Sequence, residues 1–188
     1  MSVHPNILSA DNSVLVIVDM QTRLAAAMPE KSSALMLAST GRLVESASVL
    51  NVPIIVTEQY PEKLGATDTS VVQKLSGAFQ IFDKTGFSCC MAKGFNEALE
   101  MSRRKQIILA GQEAHVCVLQ TALELLTLDY QVYVVEDALC SRKTEHKFYA
   151  LQRMQQQGVT ITNHESVLFE WLKSAAHPEF KKLSQLIR

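Results

Sequence analysis

Three residue types that can together cleave a carbonyl compound stand where apolar runs end: Asp19, Lys84 and Cys117. Cys117 belongs to the segment Gly-Gln-Glu-Ala-His-Val-Cys-Val-Leu-Gln-Thr, residues 111–121. An apolar run, 107–110, precedes it and reads as a buried strand. Helical spacing follows over about 116–128, with Leu119, Leu123 and Leu126 on one face. A cysteine there is expected near the positive end of a helix dipole, which favours the nucleophilic thiolate. On spacing alone, Asp19 reads equally well as a cap or turn residue, and Lys84 alone reads as a solvated lysine. As a set they make more sense. A carboxylate can take the thiol proton and return it to a leaving amine, while a lysine cation favours the thiolate and steadies the carboxylate.

Such residues need elements to hold them. Continuous apolar or β-branched runs at 14–18, 53–57, 106–110, 131–135 and 158–162, with a shorter one at 80–83, predict six strands. Helical patterns at 35–50, 96–101, 116–129 and 144–157 alternate with them, and two more follow at 165–173 and 178–187. This alternation predicts an α/β fold: three layers, α/β/α, around a central, mostly parallel six-stranded sheet. In such sheets ligands bind beyond the carboxyl ends of the strands, where Asp19, Lys84 and Cys117 fall. The last two helices are expected on a sheet edge or against a partner subunit.

With no linker, repeat or low-complexity segment, residues 1–188 are expected to form a single domain. At 47% hydrophobic residues the chain can build a sizeable core, and a formal charge of −1 argues against a general nucleic-acid surface. No apolar stretch is long enough to cross a membrane, and the first residues lack the pattern of a secretory signal. The spacing of Cys89, Cys90, Cys117 and Cys140 fits neither a zinc site nor a disulfide framework. A cytoplasmic setting, a small-molecule substrate and no membrane or nucleic-acid partner are therefore expected.

The residues around the three candidates carry a resemblance. The Asp-Met-Gln at 19–21, the Thr-Glu-Gln-Tyr-Pro at 57–61, Lys84-Thr85 with Phe87-Ser88, the 111–117 loop and the closing Ala-His-Pro-Glu-Phe-Lys at 176–181 together resemble the isochorismatase-like cysteine hydrolases, nearest the isochorismatase domain-containing and YcaC-like branch. The resemblance covers almost the whole chain and implies a Rossmann-like sheet. It implies a catalytic triad of Asp19, Lys84 and Cys117. It also implies a cis Gln112–Glu113 peptide, with the N–H groups of Glu113 and Cys117 as an oxyanion hole. The implied reaction is cleavage of a small amide-type C–N bond through a cysteine thioester. Vinyl-ether hydrolysis of the isochorismatase kind, or a silent binding or assembly module of the same fold, are the alternatives. Homo-oligomers are usual among such relatives. Metal-binding nicotinamidases of the family carry an Asp-x-His pair and a further histidine after the second strand; residues 57–63 here contain no histidine, so no metal and no cofactor are expected.

Gln21, Gln59, Tyr60, Phe87 and His115 follow strand ends and are candidate pocket residues, with loop packing as the alternative. Cys89, Cys90 and Cys140 read as small buried hydrophobes. Trp171, with Leu168 and Phe169, reads as core or interface. Arg142, Lys143, Lys147 and Arg153 read as a solvated helix face.

Overall fold

The computed structural model describes residues 4–77 and 79–187; the first three residues of the N-terminal reading lie outside them. In chain order the elements are β1 (Ser13–Val18), α1 (Thr22–Ala25), α2 (Glu30–Val49), β2 (Ile54–Gln59), α3 (Pro61–Leu64), α4 (Thr69–Val72), β3 (Phe79–Lys84), α5 (Phe95–Ser102), β4 (Gln106–Gln112), α6 (Leu119–Thr127), β5 (Gln131–Cys140), α7 (Thr144–Gln156), β6 (Thr160–Thr162), α8 (His164–Leu172) and α9 (Phe180–Leu183). Two 3₁₀ turns, Ala10–Asn12 and Cys89–Met91, and a π turn, Ala114–Val118, complete the part that concerns the site.

All six strands pair in parallel in the order β3-β2-β1-β4-β5-β6. Strand order reverses between β1 and β4, which opens the crevice expected at such a switch point. Alternation along the strands divides the core into two layers. Val14, Val16, Ile107, Leu109 and Val134 pack with Phe95, Leu99, Ala122, Leu125 and Met154 of α5, α6 and α7. Leu15, Ile17, Ile54, Ile108 and Tyr133 pack with Met36, Leu43, Ala47, Val167 and Trp171 of α2 and α8. The three-layer α/β/α architecture expected from the sequence is the one observed.

The differences lie at element ends. β5 runs past residue 135, because a register irregularity lets it resume pairing with β4 at Gly111–Leu139 after polar Glu136 and Asp137. β3 is longer than its short apolar signal; as an edge strand it leaves Phe79 and Ile81 exposed and needs little apolar patterning. The C-terminal helices close on their own chain. Trp171 is buried and donates to Ser13 Oγ at 3.0 Å, while Leu168, Leu172 and Leu183 cluster with Val49 and Leu50. This packing covers one face of the C-terminal helices and leaves Phe169 of α8 exposed.

Candidate active site

β1 and β4 set the floor of the site. Their register pairs Val18 with Gly111, and the backbones approach so closely that a Cβ on Gly111 would collide with the Val18 carbonyl. Gly111 also has φ +131°, a conformation that L side chains rarely adopt. Asp19 follows immediately with φ +50°, a left-handed turn that Asp tolerates better than most residues. Its N–H donates to the Thr57 carbonyl at 3.0 Å and its own carbonyl accepts from Gln112 Nε2 at 3.0 Å. The carboxylate is thereby fixed at the crevice.

Lys84 arrives from two strands away. The register pairs Val18 with Thr57 and Gln59 with Lys84, so Lys84 ends β3 two positions farther out and reaches back over β2. Its Nζ donates to Asp19 Oδ2 at 2.7 Å, to Gln59 Oε1, and to the Phe87 carbonyl at 2.9 Å. Neither the Lys84 nor the Asp19 side chain is exposed. Thr57 Oγ1 donates to the other carboxylate oxygen at 2.8 Å. Burial raises the Asp19 carboxyl above its ordinary range, and the Lys84 charge opposes that rise without cancelling it.

Cys117 stands near a helix start after β4, as the sequence pattern indicated, on a π turn that runs directly into α6. The thiol is buried beside Asp19. Burial first, and the Asp19 charge after it, push the thiol well above the usual range, with Lys84 pulling the other way. This direction is opposite to the thiolate expected from a helix start, and burial is its largest cause. The Gln112–Glu113 peptide is cis.

The other candidates divide. The Gln21 amide is filled by backbone, donating to Gln59 and Gly65 carbonyls and accepting from Gln59 N–H, so it braces the loops. Gln59 holds Lys84 and donates to the Thr85 carbonyl. Tyr60 and Phe87 are exposed, and Tyr60 lines a cleft of about 450 Å³ with Pro61, Glu62, Lys84, Met91 and Lys93. That cleft adjoins Lys84, but neither Asp19 nor Cys117 lines it. His115 turns toward α7: its ring lies 4.5 Å from that of His146, and Nδ1 is 3.1 Å from Ser141 Oγ. The Glu113 side chain points to Arg142, accepting from its backbone N–H and its guanidinium; burial would raise this carboxyl, but those bonds hold it below the usual range. Arg142 and Lys147 are thus an ion-pair partner of Glu113 and of Glu136, not merely a solvated face.

From the sequence, Thr57 and Thr121 have no assigned role and Cys89 reads only as a small buried hydrophobe. Thr121 Oγ1 donates to the Cys117 carbonyl at 2.7 Å, one helical turn on, a spacing legible in the sequence. Thr57 was visible as a hydroxyl closing an apolar strand. The approach of Cys89 to both was not, since it depends on the 3₁₀ turn after β3. Among the described residues, no three or more His, Cys, Asp or Glu are grouped so as to hold a metal ion.

Comparison with known proteins decides the family, since the model described as "Isochorismatase domain" matches residues 13–166. The chain belongs to the isochorismatase family. The secreted isochorismatase effector Isc1 of Phytophthora sojae is 41% identical over 152 residues, 79% of this chain and 72% of that protein. Isochorismatase domain-containing protein 1 of Danio rerio is 35% identical over 181 residues; the match takes in 96% of this chain but only 62% of that longer relative. Among solved structures, the MAR1 ribonuclease of Caenorhabditis elegans superposes with TM-score 0.90 at 36% identity, covering 96% of this chain and 91% of that one. The YcaC gene product of Escherichia coli, described as an octameric hydrolase of unknown specificity, superposes with TM-score 0.87 at 21% identity, covering 99% and 91%; at that identity the likeness is one of fold. Because the Phytophthora relative is secreted, family membership assigns no compartment. Among the described residues, no helix is long and apolar enough to cross a membrane.

Proposed function

We propose that this protein is a cysteine hydrolase that cleaves a small amide-type C–N bond with Asp19, Lys84 and Cys117. The observation that carries this reading is the buried Asp19–Lys84 pair set beside the Cys117 thiol at the carboxyl edge of the sheet. With substrate bound, Asp19 takes the thiol proton as sulfur attacks the carbonyl carbon. Negative charge on the former carbonyl oxygen is met by the N–H groups of Glu113 and Cys117. Collapse of the intermediate breaks the C–N bond, and Asp19 returns the proton to the departing nitrogen. Water, deprotonated by Asp19, then cleaves the thioester and restores the thiol. A neutral resting thiol suits this scheme, because the transfer takes place when the carbonyl is present to accept the sulfur. Tyr60, Phe87 and His115 are the proposed pocket wall, with Gln21 and Gln59 as its support.

Ammonia or amine release from a panel of small amides tests the reading. Turnover by the wild type that is lost in a folded Cys117→Ala variant supports it. Amide turnover that survives the substitution removes Cys117 as the nucleophile; a vinyl-ether substrate tests the isochorismatase-type alternative, and turnover of neither class points to a binding module. A second reading comes from the worm relative at 36% identity, which is called a ribonuclease. The net charge of −1 opposes a broad phosphate-binding surface. RNA cleavage that vanishes with Cys117→Ala would favour that reading.

Self-assembly is proposed as well, since the fold is shared with an octamer. Phe148 and Tyr149, exposed side by side on α7, and Phe169, exposed on α8, offer apolar contacts. Light scattering should give a mass above 20.9 kDa; a monomer refutes it. The proposed compartment is the cytoplasm, which fractionation with an epitope tag would test.

A further inference from the structure

We infer that Cys89 is a positioning residue for the active site, donating its S–H to Thr57 so that the Thr57 hydroxyl is committed to Asp19. The inference rests on the reading of Asp19 as the proton acceptor. Thr57 Oγ1 lies 2.8 Å from Asp19 Oδ1 and 3.5 Å from Cys89 Sγ, in a wholly buried setting. A hydroxyl has one proton, and an ionised carboxylate can only accept. The Thr57 proton therefore goes to Asp19, and the contact with Cys89 is a hydrogen bond only if the thiol donates. Burial keeps that thiol protonated, pushing it up to about 12, with the Asp19 charge adding to the rise.

The same residue is tied to the nucleophile's backbone. Cys89 N–H donates to Thr121 Oγ1 at 2.9 Å, and that hydroxyl donates to the Cys117 carbonyl. One buried residue is thus linked to both ends of the proton path, its thiol through Thr57 to Asp19 and its amide through Thr121 to the Cys117 carbonyl. The titratable groups facing Asp19 are Lys84 from β3, Cys117 from the π turn, and Cys89 through Thr57. Lys84 offsets the burial of the carboxylate on Oδ2, and the Cys89–Thr57 chain does so on Oδ1. Donors chained in this way strengthen one another.

The test reads Asp19 directly. The carboxyl carbon of Asp19 in ¹³C-aspartate-labelled protein is assigned with Asp19→Asn and titrated by NMR in wild type, Thr57→Val, Thr57→Ser and Cys89→Ala, with thermal melts as a folding control. Loss of a donor to a carboxylate should raise the Asp19 midpoint by about one pH unit in Thr57→Val and by less in Cys89→Ala, with Thr57→Ser close to wild type. The relay is overturned if the midpoint is the same in all, or if it moves in Thr57→Val but not in Cys89→Ala, since donation would then begin at Thr57. If Thr57→Val does not fold, the Cys89→Ala midpoint decides. In parallel, the rate of Cys117 alkylation by iodoacetamide is compared between wild type and Asp19→Asn. Equal rates would fault Asp19 as the acceptor while leaving the relay's own readout intact.

Discussion

The Lys84 ammonium meets the Asp19 carboxylate at 2.7 Å with neither side chain reaching solvent. With Gln59 and the Phe87 carbonyl as its further acceptors, Lys84 has a partner for each of its three protons and none left over for a leaving group. In the proposed reaction the proton that reaches the departing nitrogen therefore comes from Asp19, and Lys84 acts through its charge.

That arrangement makes the pair costly to break. Lys84→Met leaves a buried carboxylate without its cation, and stability at pH 7 should drop by about 3–5 kcal/mol. The loss should shrink as pH falls, because burial already holds the Asp19 midpoint high and protonation removes the unpaired charge. Urea unfolding at pH 7 and pH 5 measures both. A loss below about 1 kcal/mol would mean that the pair is far better solvated than its burial implies.

Glu113 shows the opposite sign. Its carboxyl is held low by Arg142 despite burial, so its contribution is present above the unfolded-state midpoint near ~4.3 and fades as pH drops through the lower folded midpoint. Glu113→Gln should cost about 1–2 kcal/mol at pH 7, the exposed Arg142 side chain moderating the effect. The gap from wild type should narrow towards pH 3 in urea titrations. A gap independent of pH would show that packing, not charge, is what Glu113 supplies.

Gly111→Ala tests the close approach of β1 and β4. The new Cβ meets the Val18 backbone, which cannot give way without opening the strand pair beside Asp19, and the positive φ adds strain. A loss of about 4 kcal/mol or more, or insoluble protein, is expected; near-native urea stability would contradict the pairing.

The sheet and most of its helices were legible because buried parallel strands are apolar along their whole length and the helices between them are amphipathic. Asp19, Lys84 and Cys117 were legible as residues that close those runs, and the resemblance joined them. What stayed hidden depends on three-dimensional proximity. That Lys84 reaches over β2 to Asp19 follows from register, which a single sequence does not specify. The upward push on the Cys117 thiol comes first from burial by residues remote in the chain, which a helix-end argument does not include. The contacts of His115 with Ser141 and His146, and of Gln21 with Gln59 and Gly65, stayed hidden for the same reason.

The account turns on a covalent bond at one sulfur. Wild-type protein mixed with an amide that it turns over should be acid-quenched within milliseconds to seconds, digested, and read by peptide mass spectrometry. The account predicts an acyl mass increment on the Cys117 peptide that appears before product accumulates, decays as product forms, and is absent from Cys117→Ala. Turnover with no acyl group on Cys117 at any time, or an acyl group on Cys90 instead, would contradict it.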